Sequence, residues 1–372
     1  MRTRYDLSNL KWTLSGWTPD YWRMVQSAEI GASPMAEVIG IPARVPGSVQ
    51  QALKDADILP DWNVGLNHRL CEWVENRHWI YETTIPDEWI DLGKTVRVNF
   101  RGLDYRGDVY VNSQLVSEFI GSHTPFIYDI TPFLKDTANT LRVAFTCDPR
   151  WLGQFGWTSK ITEWKSRFYY TWDWVVRLVQ TGISGNVFLE VTDGREIREF
   201  RAWTDADFQT SAGWVVARGD VRAEPGASVR LTLSRNGSTV VEKTVSASEF
   251  HQSGMRLDAP KVDLWWPNLE GDQPLYDLDF TLLNAGGSEV DRVARRVGFR
   301  HVNWLQCENA PEGADPWVCE VNGRPIFLQG ANWVPPIPNY ADATEEYYRK
   351  LLDCYQDLGA NILRVWGGAT LE

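Results

Sequence analysis

The sequence predicts a mainly β chain in which two antiparallel β-sandwiches are followed by the first β-α-β portion of a (β/α)₈ TIM barrel. Three observations carry that expectation. From about residue 30 to 192, short runs alternate apolar and polar residues with period two, as at Val96, Val98 and Phe100, at Val109 and Val111, and at Leu141, Val143 and Phe145. From about 193 to 302 the alternation continues through 214–218, 229–233 and 239–245, a spacing that fits an immunoglobulin-like sandwich. Beyond 343 the period changes from two to that of a helix, with a short strand-like run on either side.

Length and composition set the frame. A chain of 372 residues is long enough for two to three domains with sizeable cores. Its net charge of -12 and lack of any Lys/Arg cluster exclude nucleic acid as a partner, because the phosphates would repel it. The N-terminal stretch MRTRYDLSNLKWTLSGW has no apolar core of a signal peptide, and no later run has eighteen uninterrupted apolar residues. No membrane span and a cytoplasmic location are therefore expected. Cys71, Cys147, Cys307, Cys319 and Cys354 are odd in number, widely spaced and without a CxxC pair, the pattern of reduced, buried thiols. The five histidines show no metal-binding spacing, so neither a metal nor another cofactor is expected. The 20 Trp, 13 Tyr and 14 Phe favour a carbohydrate partner only weakly, because rings that stack on pyranose faces also fill sandwich interiors. A homo-oligomer is compatible with the sequence, which does not fix the oligomeric state.

In the first sandwich, the phrases VPGSVQQALKDADILPDWNVGLN, CEWVENRHWIYETTI, RGLDYRGDVYVNSQLV and TPFIYDITPFL occur in order. Ser48 lacks the GxSxG frame of a nucleophile elbow and is read as a turn serine. Carboxylates such as Asp104, Asp108 and Asp129 are expected at turns and strand edges, where solvation keeps them ordinary. Near 172 the chain places Asp173 between Trp172 and Trp174. Desolvating a carboxylate is costly unless something hydrogen-bonds it, so the residues alone favour an Asp that closes a turn between core aromatics.

In the second sandwich, Asn236-Gly237 marks a type I′ hairpin between 229–233 and 239–245. Asn236-Gly237-Ser238 is also a glycosylation sequon, read here as a turn. Trp265, Trp266 and Pro267 are read as interdomain packing, because Tyr276, Leu278, Phe280 and Leu282 resume a one-sided core pattern at once.

The last stretch, VNGRPIFLQGANWVPPIPNYADATEEYYRKLLDCYQDLGANILRVWGG, opens with Asn322-Gly323, a second hairpin signal, before the apolar run 325–328. Thr344 is the expected N-cap of a helix that carries Tyr348, Leu351, Leu352, Tyr355 and Leu358 on one face, with Gly359 as its stop. The run 361–366 is again strand-like. Asn332, Trp333, Arg364 and Trp366 thus gather at the C-terminal ends of two strands, the face that carries the active site in a (β/α)₈ barrel.

VNGRPIFLQGANWVP followed by NILRVWGG resembles the start of the catalytic barrel in glycoside hydrolase family 2, and is most similar to its β-mannosidase branch. The four earlier phrases resemble the jelly-roll, galactose-binding-like domain that precedes that barrel, and VDLWWPNLEGDQPLYDLDFTLL with RRVGFRHV resembles the end of the family's second domain. The resemblance implies domains at 1–192, 193–302 and 303–372, the last an incomplete barrel, since roughly 250 residues are needed and about 70 follow Val302. It implies retaining hydrolysis of terminal β-linked sugars by two glutamates near the ends of barrel strands four and seven, so that no catalytic residue is expected in this chain; Glu372 is a poor candidate. Substrate-binding roles are implied for Trp172, Asp173 and Trp174, whose loop reaches the sugar, and for Asn332, Trp333, Arg364 and Trp366, with Arg364 steadying the nucleophile. There are two departures: Val175-Val176-Arg177-Leu178 stands where the branch has Gly-Pro-Arg-Leu, which bears on the loop's path and the identity of the sugar, and Gly367-Gly368-Ala369-Thr370-Leu371-Glu372 stands where it has Gly-Gly-Gly-Ile-Tyr-Glu. A non-catalytic carbohydrate-binding or scaffold protein, or another family 2 specificity such as exo-β-glucosaminidase, β-galactosidase or β-glucuronidase, remains open.

Overall fold

The computed structural model describes residues 2–24, 35–148 and 164–368. Its contacts divide the chain into two compact units, one of Thr3–Val191, Trp333–Tyr348 and Val365–Glu372, the other of Met1–Arg2, Thr192–Asn332 and Arg349–Arg364. Among the described residues no helix is long and apolar enough to cross a membrane.

The first unit is a sandwich of two antiparallel sheets. The larger has six strands in the order Val38–Ala43, Trp12–Trp17, His78–Ile85, Asn139–Phe145, Arg106–Val111 and Gln114–Ile120; the smaller has four, Thr3–Asp6, Val187–Thr192, Thr95–Phe100 and Phe126–Asp129. The alternation sorts residues between faces as expected. Leu14, Trp79, Tyr81, Leu141, Val143 and Phe145 from the large sheet meet Val96, Val98, Phe100 and Leu189 from the small one, all buried. Each such side chain contributes roughly 1.5–3 kcal/mol relative to exposure. The sandwich begins earlier than residue 30, because Thr3–Asp6 pairs with the far end of the domain in the register Thr3↔Val191 and Asp6↔Phe188. Ser48 is more than a turn serine: its Oγ caps the helix Val49–Asp55 by accepting from the Gln51 N–H at 3.0 Å.

The expectation of ordinary, solvated carboxylates fails for two of the three residues named. Asp129 is exposed, but Asp104 is fully buried and Asp108 is 6% exposed. Hydrogen-bond partners compensate their desolvation: Lys165, Ser122 and Gln180 for Asp104, and Arg23 and the nearby Tyr110 for Asp108.

The second unit holds a seven-stranded sandwich. Glu196–Asp207, Ala212–Arg222 and Met255–Ala259 form one antiparallel sheet; Ser238–Ser246, Ser228–Arg235, Tyr276–Leu283 and Glu289–Val297 form the other. Val215, Val229, Leu231, Leu257, Leu278 and Phe280 fill the space between them. The Asn236-Gly237 turn joins Arg235 to Ser238 with φ of 49° and 77°, as a type I′ hairpin needs. Trp265 and Trp266, expected to pack between domains, find their partners Arg300 and Arg324 within this unit. The Arg324 guanidinium lies 4.3 Å from the Trp266 ring, which covers the small cluster of Cys319, Val321 and Ile326.

Asn322-Gly323 turns Val318–Val321 back onto Arg324–Ile326 as predicted. The apolar run does not continue as one strand, however. The strand that pairs with Ile362–Val365 is Gly330–Trp333, separated from the hairpin at 327–329. The Asn361 side chain holds this break by donating to the Phe327 carbonyl at 2.9 Å and accepting from the Gln329 N–H at 2.9 Å. Between these strands the helix Glu345–Asp357 starts at Thr344, whose Oγ1 accepts from the Tyr347 N–H. It ends in a Schellman motif: the Gly359 N–H bonds Gln356 O, the Ala360 N–H bonds Tyr355 O, and Gly359 takes φ +76°. No residue of this helix is buried, and Leu352 and Leu358 are exposed.

Among the described residues no disulfide forms, and the expectation of buried cysteines holds for Cys71 and Cys319; Cys147 is intermediate, and Cys307 and Cys354 are exposed.

Candidate functional site

In the first unit, a single helical turn, Arg167–Tyr170, drives Phe168, Tyr169 and Tyr170 into the interior at 1%, 1% and 5% exposure. Thr171 then takes φ +95°, a region that costs a β-branched residue free energy, and the chain reverses at once. Trp172 pairs with Val175, its N–H on the Val175 carbonyl at 3.2 Å, so that Asp173 and Trp174 occupy the tip. The turn is thus closed by Val175 where the family's Gly-Pro would stand. Asp173 is exposed, and among the described residues nothing hydrogen-bonds its carboxylate. It does not close a turn between core aromatics; the backbone does that work and leaves the carboxylate free.

The two indoles beside it are anchored by other rings. Trp174 lies 5.6 Å from Phe168, and Trp366 lies 5.5 Å from Trp172 and 6.2 Å from Trp174, the last edge-on. These separations fall in the favourable range for aromatic pairs. The indole N–H of Trp174 is buried without an acceptor among the described residues. The Trp366 N–H donates to Trp333 O at 2.9 Å, and the Trp333 ring stacks on Tyr348 at 6.3 Å. Three expected binding residues, Trp172, Trp174 and Trp366, therefore belong to one aromatic assembly with the exposed Asp173 between the first two in sequence, and Trp333 is joined to it through its backbone carbonyl.

Asn332 and Arg364 belong to the second unit. Arg364 Nη1 donates to Asn332 Oδ1 at 3.0 Å, and both side chains are exposed. Among the described residues no carboxylate pairs with Arg364, so the guanidinium is not absorbed by a neighbouring acid. The Ala369-Thr370 departure and Glu372 lie outside the described residues.

Beneath the turn runs a buried polar network that nothing in the sequence pattern announced. Lys165 Nζ donates to Asp104 Oδ1 at 2.7 Å and to Gln180 O at 2.9 Å, and approaches Asp148 Oδ1 at 3.2 Å. Burial alone would lower the Lys165 pKa, but Asp104 and Asp148 outweigh it and hold the ammonium above its ordinary value. Burial pushes Asp148 up to about 6 despite that cation. The ammonium also sits 5.2 Å from the Tyr169 ring, under the aromatic assembly.

Gln180 extends the network by accepting the Ala341 N–H at 3.0 Å. On either side of Ala341, Tyr340 contacts His123 Nδ1 through its hydroxyl at 3.1 Å, and Asp342 accepts the Ser48 N–H at 2.7 Å and the Ser48 hydroxyl at 2.6 Å. Burial lowers the His123 pKa and raises that of Asp342 to about 6. Sequence reasoning missed Asp104, Lys165, Gln180, Tyr340 and Asp342. The only signal was the cost of a buried charge, which becomes visible once partners far apart in sequence are brought together. Among the described residues no three His, Cys, Asp or Glu side chains converge as metal ligands would.

Comparison with known proteins places this geometry in a family. Residues 22–185 match the profile described as glycosyl hydrolase 2 galactose-binding domain-like, and residues 196–300 match that of glycosyl hydrolases family 2. The chain is 27% identical over 346 residues to β-mannosidase B of Aspergillus clavatus, and 26% identical over 348 residues to that of Thermothelomyces thermophilus. These alignments cover 88% and 89% of the chain but 40% of each relative, so the chain spans less than half the length of the curated relatives it matches. Among solved structures, β-D-mannosidase from Dictyoglomus thermophilum matches with a TM-score of 0.80 at 24% identity, covering 100% of this chain and 45% of that one. An exo-chitosanase from Amycolatopsis orientalis matches at 0.69 with 18% identity, covering 99% and 41%. Likeness to these structures concerns the fold.

Proposed function

The chain belongs to glycoside hydrolase family 2, and from that premise we propose that it is the N-terminal part of a retaining, exo-acting, β-mannosidase-like hydrolase that removes terminal β-linked sugars. The observation that carries this reading is the Trp172–Val175 turn, which presents the exposed Asp173 carboxylate between indoles packed on Trp366. An uncommitted carboxylate flanked by rings is suited to hold sugar hydroxyls while the indoles meet the apolar faces of the pyranose. Arg364, with no acidic partner among the described residues, is suited to orient a carboxylate supplied by a later barrel strand.

In this reading residues 1–192 are the galactose-binding-like sandwich, 193–302 the immunoglobulin-like sandwich and 303–372 the opening of a TIM barrel. The family's mechanism needs an acid that protonates the leaving oxygen and a nucleophilic carboxylate roughly 5–5.5 Å from it. Both are assigned to barrel strands outside this chain. Trp172, Asp173, Trp174, Asn332, Trp333, Arg364 and Trp366 bind substrate. A cytoplasmic location goes with the odd number and wide spacing of the cysteines, which suit reduced thiols.

A protein that carries the whole barrel, assayed against aryl β-mannoside, β-glucoside, β-galactoside, β-glucuronide and β-glucosaminide, tests the reading. Preference for the mannoside is expected; preference for another glycoside keeps the family and removes the mannosidase assignment. The 372-residue chain alone is expected to turn over none of them.

A further inference from the structure

The solvent side of the six-stranded sheet carries a second concentration of tryptophan. Thr13, Ser15 and Trp17 point away from the core on their strand, as do Ile80 and Glu82, Arg142 and Tyr110 on theirs. They border a groove of about 490 Å³, within the roughly 300–1,000 Å³ of small-molecule sites. Register places its polar groups in one row across four strands: Tyr110 opposite Arg142, Arg142 opposite Glu82, and Glu82 opposite Thr13.

The wall is built and held. The short turn Tyr21–Met24 lies against the sheet, with Trp22 Nε1 donating to His78 Nδ1 at 3.0 Å and the Trp22 ring edge-on to Tyr110 at 5.8 Å. Arg23 covers one side of the Trp22 ring at 4.6 Å and is fixed by Asp108 at 2.7 Å. On the opposite side, Arg142 Nε and Nη2 both donate to Glu82 Oε2, at 2.8 and 2.6 Å. That geometry leaves Glu82 Oε1 as an acceptor and Arg142 Nη1 as a donor, with no hydrogen bond to either among the described residues. The indole N–H of Trp17 is likewise without an acceptor there.

We propose that this groove is a saccharide-binding site, which holds one pyranose ring of an oligosaccharide against its tryptophans and pairs two neighbouring hydroxyls with Glu82 and Arg142. Neighbouring sugar hydroxyls can each donate and accept, so they suit a free carboxylate oxygen and a free guanidinium nitrogen on one groove wall, and charge-assisted hydrogen bonds are the stronger kind. The rings supply the apolar contact that a pyranose face needs. A flat protein partner would leave that donor and acceptor unpaired, which is costly once desolvated. The inference rests on this groove alone and stands whether or not the chain takes part in hydrolysis.

Isothermal titration calorimetry with β-1,4-mannobiose and with cellobiose tests it, using the full chain in an Asp173→Ala background that removes the turn site. Saturable binding of at least one disaccharide is expected, with half-saturation on the order of 1 mM. Glu82→Gln and Arg142→Lys should each weaken it about tenfold or more. Arg142→Lys keeps the cation beside Glu82 while removing the spare donor, so it remains informative if Glu82→Gln lowers the melting temperature. No saturable heat up to the solubility of either sugar overturns the proposal, as does binding that both variants leave unchanged.

Discussion

Asp104 and Lys165 meet at 2.7 Å with neither side chain exposed to solvent, and Gln180 bonds both, through its side chain to Asp104 and its carbonyl to Lys165. Removing one member of such a pair strands the other charge, which costs roughly 3–5 kcal/mol. Lys165→Met should therefore lower the urea midpoint sharply, because it leaves Asp104 and Asp148 buried without their cation. A loss below about 1 kcal/mol would show that the network contributes little to the fold beneath the Trp172–Val175 turn.

Asp342 gives stability a pH dependence. Its folded-state pKa of about 6 lies above the ordinary 3.8, chiefly through burial, although the Ser48 N–H and hydroxyl and the Arg44 guanidinium oppose the shift. Arg44 stands 3.9 Å away, and Asp55 adds to the rise. A raised carboxylate pKa contributes stability that is full below about pH 4 and is lost as pH climbs through 6, on the order of 3 kcal/mol at most. Asp342→Asn should remove that component, so the stability difference between wild type and variant should shift against wild type from pH 4 to pH 7. A difference constant over that window would contradict the raised pKa.

The two Asn-Gly hairpins, the Thr344 cap and the Gly359 stop were legible in the sequence because each is decided within a few residues. The same holds for the Trp172-Asp173-Trp174 turn, though not for what supports it. Thr3–Asp6 escaped notice since its four residues are polar or half-exposed and become a strand only by pairing with Val187–Thr192. In the sequence Asp104 reads as an ordinary surface carboxylate, because Lys165 and Gln180, 61 and 76 positions away, are what make its burial tolerable. The break after Ile326 depends in the same way on Asn361, 34 residues from the Phe327 carbonyl it bonds.

The helix Glu345–Asp357 buries none of its residues, and Phe327, Leu352 and Leu358 are 82%, 45% and 78% exposed. Limited proteolysis of the purified chain should accordingly cut within 332–372 before it cuts either sandwich, since sites of low local stability open first. Resistance equal to that of the sandwiches would mean that an oligomer or partner covers this face.

The most direct test of the account is Asp173→Ala in the protein that carries the whole barrel, with kcat/KM on an aryl β-mannoside and melting temperature measured on the same sample. Two charge-assisted hydrogen bonds to the sugar, at roughly 1.5–3 kcal/mol each, predict a fall in kcat/KM of about two to four orders of magnitude. The melting temperature should stay unchanged, because the exposed carboxylate supports nothing in the fold. A lowered melting temperature with kinetics nearly intact would instead make Asp173 a structural residue of its turn and contradict the central claim.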